Sequence, residues 1–221
     1  MKLRIYILLI IATVCFIVAY TSLSTKKNSK QALPILNPID VRNELVDSSL
    51  HRKGYGHTIQ SFAFSNQFGH KITNKDFENS VYVVEYFFTT CSTICPKMNS
   101  QMQRLQKKFS GVKDFKIASF TVQPEIDSIP LLKQYAKSYN AVPGQWHFLT
   151  GDKKKLYALA RQSYFLLKPA EAKNLGDANS DFIHTNNFVL IDKNQRIRGY
   201  YDGTSATEVD KLANDIRKLI K

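Results

Sequence analysis

The chain has 221 residues and carries 31 Lys and Arg against 18 Asp and Glu, a formal charge of +13 at neutral pH. That length suits one domain of ordinary size plus appendages, and three cysteines exclude the disulfide framework of small secreted proteins. The positive balance favours an acidic partner or an anionic membrane surface. Nucleic acid is not the expected partner, because no RNP-like, zinc-finger or helix-turn-helix pattern is present and the basic residues are spread over solvated faces of expected helices.

Residues 1–30 contain Lys2, Arg4, Lys26, Lys27 and Lys30 and no acid, so the rest of the chain carries +8 of the +13. Residues 5–25 are uncharged and residues 5–20 almost wholly apolar. At about 1.5 Å per residue such a helix spans roughly 30 Å, the thickness of a bilayer core. A cleaved signal peptide competes with this reading, but no small-x-small cleavage site follows the apolar run. The residues around Cys15 match a lipidation box poorly. The expectation is an N-terminal transmembrane anchor over 1–25 with the amino terminus inside, a polar tether or loosely packed lead-in over 26–50 and a globular domain over 51–221. The domain then stands outside the cytoplasm, on the periplasmic face of a bacterial inner membrane.

Within the domain a hairpin is expected over 59–64 and 72–73, around Asn66-Gln67-Phe68-Gly69. Residues 81–88 form a continuous run of Val, Tyr and Phe with a single glutamate, the pattern of a central strand covered on both faces. The run leads into Cys91, Cys95 and Pro96. Proline suits the first turn of a helix, where its missing N–H has no intrahelical partner, and Met98, Met102, Leu105 and Phe109 share one helical face. Cys91 therefore falls in the strand-to-helix loop and Cys95 at the helix start. There the unpaired N–H groups and the positive end of the helix dipole favour a thiolate. Two such sulfurs suit either a disulfide or a shared metal ion. The bland alternative is a pair of structural core cysteines.

A strand follows over 115–122, a helix over 128–139 capped by Asp127 or Ser128 with Pro130 in its first turn, a strand over 146–149 and a helix after Thr150-Gly151-Asp152. Residues 168–181 form a polar loop without periodicity, long enough to be functional or disordered. Strands over 188–191 and 197–201 pair around Asp192-Lys193-Asn194-Gln195, and an amphipathic helix from about Ala206 ends the chain. The order hairpin, βαβαβα, ββα implies a mixed sheet with helices on both faces.

His184 lies where the long loop enters the strand that starts at Asn187. This topology makes it the histidine best placed to meet Cys91 and Cys95. Two thiolates with one imidazole suit copper, whereas structural zinc takes four protein ligands and no fourth is evident. His51, His57, His70 and His147 are read as bystanders, and Met98 and Met102 as core.

The segments FFTTCSTICPKM, FTVQPEIDS, WHFLTGD and DFIHTNNFVLIDKNQRIRGYYDG, in that order over roughly residues 55–221, make the chain resemble the Sco/SenC family. These are membrane-anchored, thioredoxin-like proteins that assemble the copper A centre of cytochrome c oxidase. The resemblance implies an α/β, thioredoxin-like mixed sheet flanked by helices, and a copper ion held by Cys91, Cys95 and His184. It also implies delivery of that copper to an oxidase subunit or similar cuproprotein, and it admits a sensing role. Two departures stand out: Thr93 replaces a usual acid two before the second cysteine, and Gln123-Pro124 replaces a usual Asp-Pro. Both remove negative charge near the expected site. A second function fits the same pair, a thiol–disulfide oxidoreductase in which one thiolate attacks a target disulfide and the other resolves it. In favour of that function, the fold is one redox proteins use and copper A assembly needs reduced cysteines; a thiol reductase is a further expected partner.

Overall fold

The computed structural model describes residues 11, 13–17, 32–46, 50, 54–166 and 185–220. The chain divides into two compact units, Met1–Ala32 and Leu33–Lys221. In the first, residues 11 and 13–17 are helical and exposed, and most of the expected anchor 1–25 lies outside the described residues. Among the described residues no helix is long and apolar enough to cross a membrane.

Among the described residues, the second unit holds seven strands: β1 (Ala63–Asn66), β2 (Lys71–Thr73), β3 (Val81–Phe87), β4 (Phe115–Thr121), β5 (Trp146–Thr150), β6 (Asn187–Ile191) and β7 (Ile197–Asp202). Their order across the sheet is β2-β1-β5-β4-β3-β6-β7. Strands β3, β4 and β5 run parallel, while β6 pairs antiparallel with β3 and β7 with β6. Among the described residues, four helices of ten or more residues pack with the sheet: α1 (Cys95–Lys108), α2 (Ile129–Ser138), α3 (Lys153–Gln162) and α4 (Ala206–Ile220).

Every residue of β3 is buried, as its apolar run requires. Side chains alternate along a strand, so Val81, Val83 and Phe87 pack with α1, α2 and α4. Tyr82, Val84 and Tyr86 point the other way, toward Leu156, Leu159 and Ala160 of α3. Met98 and Met102 are core residues on α1, 1% and 0% exposed. Asp152 caps α3 by accepting the N–H of Lys155 at 2.9 Å, the arrangement its Thr-Gly-Asp lead-in predicts.

Two expectations shift. The first hairpin strand begins at Ala63, not at residue 59. Upstream of it the N–H of Phe62 donates to the Asn74 side chain at 2.6 Å, and Ile59 N–H reaches Gln195 O at 2.9 Å, so these groups are satisfied outside any strand ladder. The second concerns the segment expected as a tether. Residues 33–46 are seated on the sheet: Leu36 bridges Ile197, Val46 is buried at 2% exposure, and two short 3-10 turns, Pro38–Asp40 and Asn43–Leu45, lie between them. Arg198 fixes this segment by donating to the carbonyls of Pro34 (2.8 Å) and Leu33, while pairing with the buried Asp192 at 2.8 Å.

Candidate functional site

The parallel strands β3 and β4 end side by side, with Phe87 opposite Thr121. The loop after β3 carries Cys91 and delivers the chain to α1, whose first residue is Cys95 and whose first turn contains Pro96. No acidic side chain lies in that first turn, and Ile94 at the N-cap position supplies no side-chain acceptor. The Cys91 sulfur takes that place: it accepts the N–H of Cys95 at 3.4 Å and lies 3.8 Å from the Thr93 hydroxyl. Both cysteines are free and buried, 7% and 3% exposed.

The two thiols are electrostatically unequal. Burial pushes the Cys91 thiol up, but the hydrogen bonds from Cys95 and Thr93 outweigh it and its pKa falls below the usual value. Burial raises Cys95, and donating to the Cys91 sulfur raises it further. Cys91 is thus the more readily ionised sulfur and Cys95 the one that holds its proton more firmly, a polarised pair at a helix start.

Beneath the pair lie groups that no sequence motif marks. Glu85 is fully buried in β3. Its Oε1 accepts from Ser119 Oγ at 2.6 Å, and Ser119 Oγ accepts Trp146 Nε1–H at 2.8 Å. Its Oε2 has no hydrogen-bond partner, and burial pushes the carboxyl up to about 8, so it is largely neutral at pH 7. The signal was visible as a lone carboxylate within VYVVEYFF. Asn99 donates to the Cys95 carbonyl at 2.9 Å and to Tyr135 Oη at 3.1 Å, while Tyr135 stacks on Phe87 with ring centroids 5.4 Å apart. Asp127, expected as a helix cap, accepts instead from Thr89 and Thr121.

Both departures from the family pattern sit against the cysteine loop: Thr93 beside the Cys91 sulfur, and Gln123 accepting from the Thr90 hydroxyl at 3.1 Å. Of the three expected site residues, the structure brings Cys91 and Cys95 together. His184 lies outside the described residues. The strand it precedes does begin at the site end of the sheet, because the register Tyr82↔Ile191, Val84↔Val189 runs the start of β6 toward Phe87. Among the described residues no group of three or more His, Cys, Asp or Glu is gathered to hold a metal. His147 is buried and its pKa falls to about 4, first from burial and then from Lys116, which fits a core histidine.

A mixed sheet with a polarised cysteine pair at the β3–α1 corner defines a thioredoxin-like dithiol protein. The SCO1/SenC family model matches residues 51–221, and the chain belongs to that family. It is 31% identical over 161 residues to the SCO1 protein homolog of Bacillus subtilis (strain 168), covering 72% of this chain and 81% of the relative. Among solved structures it is similar to a SCO1/SenC family lipoprotein of Bacillus anthracis str. Ames (28% identity, TM-score 0.64, 75% of this chain and 96% of that one). It is also similar to BsSco, described as having a disulfide switch and as a member of the Sco family of cytochrome c oxidase assembly proteins (30% identity, TM-score 0.62, 75% and 94%). ScoI of Bradyrhizobium japonicum, solved with copper bound, shares the fold at 21% identity (TM-score 0.56, 74% and 99%).

Proposed function

We propose that the protein is a copper metallochaperone, carrying copper as cargo on the Cys91 and Cys95 sulfurs with the His184 imidazole as third ligand. The recipient under this reading is the copper A site of cytochrome c oxidase or a similar cuproprotein. The observation that carries it is the pair of free sulfurs at one helix start, with the Cys95 N–H 3.4 Å from the Cys91 sulfur. Thiolates select Cu(I) and imidazole helps retain Cu(II), and a copper-bound relative of the same fold supports the choice of metal. Both sulfurs bind as thiolates; Cys91 ionises more readily, and Cys95 gives up its proton on loading. Release to a dicysteine acceptor then proceeds by ligand exchange, one sulfur at a time. The uncharged Thr93 and Gln123 leave the copper-bound loop less negative than the family pattern does.

The test is anaerobic copper titration of the reduced, detergent-solubilised chain beside Cys91→Ser, Cys95→Ser and His184→Ala. One tightly held copper per chain is expected in the wild type, lost in the cysteine variants and weakened in His184→Ala. Retention of full affinity in His184→Ala removes that residue from the site.

The polarity of the pair favours one second reading, a thiol–disulfide oxidoreductase, and the relative with a disulfide switch supports it. Cys91 then attacks and Cys95 resolves. His184→Ala separates the two, sparing disulfide reduction while impairing copper retention. The membrane placement belongs to the same proposal: residues 1–25 anchor the chain and the domain 51–221 works outside the cytoplasm. The lipoprotein relative supports membrane association. Digestion of the domain in intact spheroplasts by added protease is expected; full protection there rejects this orientation.

A further inference from the structure

Two loops meet where β3 and β4 end, and one buried carboxylate joins them. Asp127 is fully buried. It accepts from the Thr89 N–H at 3.2 Å, from the Thr89 hydroxyl and from the Thr121 hydroxyl. The Thr121 hydroxyl in turn accepts the N–H of Gln123 at 2.9 Å, and Asp127 N–H donates to Gln123 O at 2.8 Å. A buried carboxylate is stable only while its donors are in place, so each of these groups constrains the others.

Thr89 stands two residues ahead of Cys91. Behind Cys91, its sulfur is held by the Cys95 N–H. The loop that carries the sulfur is therefore tied at both ends, at the helix start through the sulfur itself and upstream through Thr89. We propose that Asp127 is a positioning residue for the dithiol: through Thr89 it fixes the loop that carries Cys91 and holds that sulfur against Cys95. This rests on reading Cys91 and Cys95 as the working pair. A constrained loop keeps the effective concentration of one sulfur toward the other high. Without the clamp, ring closure to a disulfide and chelation of a soft metal both weaken.

The test equilibrates the full chain in detergent with mixtures of reduced and oxidised dithiothreitol under argon. Two electrons and two protons pass from dithiothreitol, which closes to its cyclic disulfide, to the Cys91–Cys95 disulfide, which opens to two thiols. Asp127→Asn is expected to shift this equilibrium about fivefold toward the dithiol. Thr89→Val should reproduce the shift, the double variant should add little to either single change, and Thr89→Ser should restore the wild-type value. Ile191→Val, a core truncation at the far end of β3's partner strand, supplies a control for lost stability.

An equilibrium within about twofold of wild type in Asp127→Asn and Thr89→Val overturns the proposal. So does an equal shift in Ile191→Val. Should Asp127→Asn fail to fold, the contrast between Thr89→Val and Thr89→Ser decides alone. Copper titration of the same samples keeps the two readings apart. A wild type that takes no copper while the clamp variants shift overturns the cargo and leaves the clamp; normal copper binding without a shift overturns the clamp alone.

Discussion

Cys91 and Cys95 sit four positions apart on one chain, both buried but opposite in the sense of their hydrogen bonding. Cys91 accepts hydrogen bonds and Cys95 donates one, so a negative sulfur on the first is stabilised and on the second opposed. Limiting iodoacetamide at pH 7 followed by peptide mass spectrometry should therefore label Cys91 well ahead of Cys95. Equal labelling would mean the pair is not polarised. Glu85 makes a second prediction at this scale. Its folded pKa of about 8 lies above the model-compound value of 4.5, so the folded chain keeps a proton that the unfolded chain releases. Its contribution to stability is full below pH 4.5 and is lost as pH rises toward 8. His147 works in the opposite sense, losing stability as pH falls from 6.5 toward 4, so Glu85 dominates above pH 6.5. Glu85→Gln should flatten the decline between pH 6.5 and 8 and raise stability at pH 8 by about 2 kcal/mol in urea denaturation. An unchanged slope would place the titration elsewhere.

At the scale of elements, α1 and β3 were the most legible parts of the chain, because their apolar periods differ and proline and cysteine punctuate the boundary between them. The hairpin was less so: residues 59–62 carry strand-like side chains, yet their backbone groups are satisfied by Asn74, Gln195 and Ser163, and no local pattern announces partners so far away. Residues 33–46 failed to show their seat for the same reason, since a polar stretch with two prolines reads as linker until Arg198 supplies the clamp. Arg198→Ala should leave Asp192 without its ion-pair partner, though Asn194 and Arg196 N–H groups still donate to it. A loss of about 2–3 kcal/mol is expected, below the usual cost of breaking a buried pair. Amide exchange at Leu36, whose N–H donates to Ile197 O at 2.8 Å, should rise with it. Retained protection at Leu36 would show that the segment is held by packing alone.

For the whole molecule, the alternation of strands and helices was enough to foresee a mixed sheet, and the cysteine spacing pointed to the corner where its chemistry sits. What pattern reading missed was buried polarity: Glu85, Asn99 and Asp127 act through neighbours distant in sequence, and their meaning appears only when strands lie side by side. The docked segment has a consequence for the molecule as a particle among copies of itself. An open sheet ends in rows of unpaired backbone groups that invite another chain to add on. Here one margin is the three-residue β2 with Lys71 upon it, and the other is closed at Ile197 by Leu36 and flanked by Arg198. A chain trimmed to residues 51–221 would bare that second margin together with the hollow that Val46 fills. Light scattering should find the trimmed chain self-associating where a chain of residues 32–221 stays monodisperse, so the residues that look most like a leash serve as the sheet's selvedge.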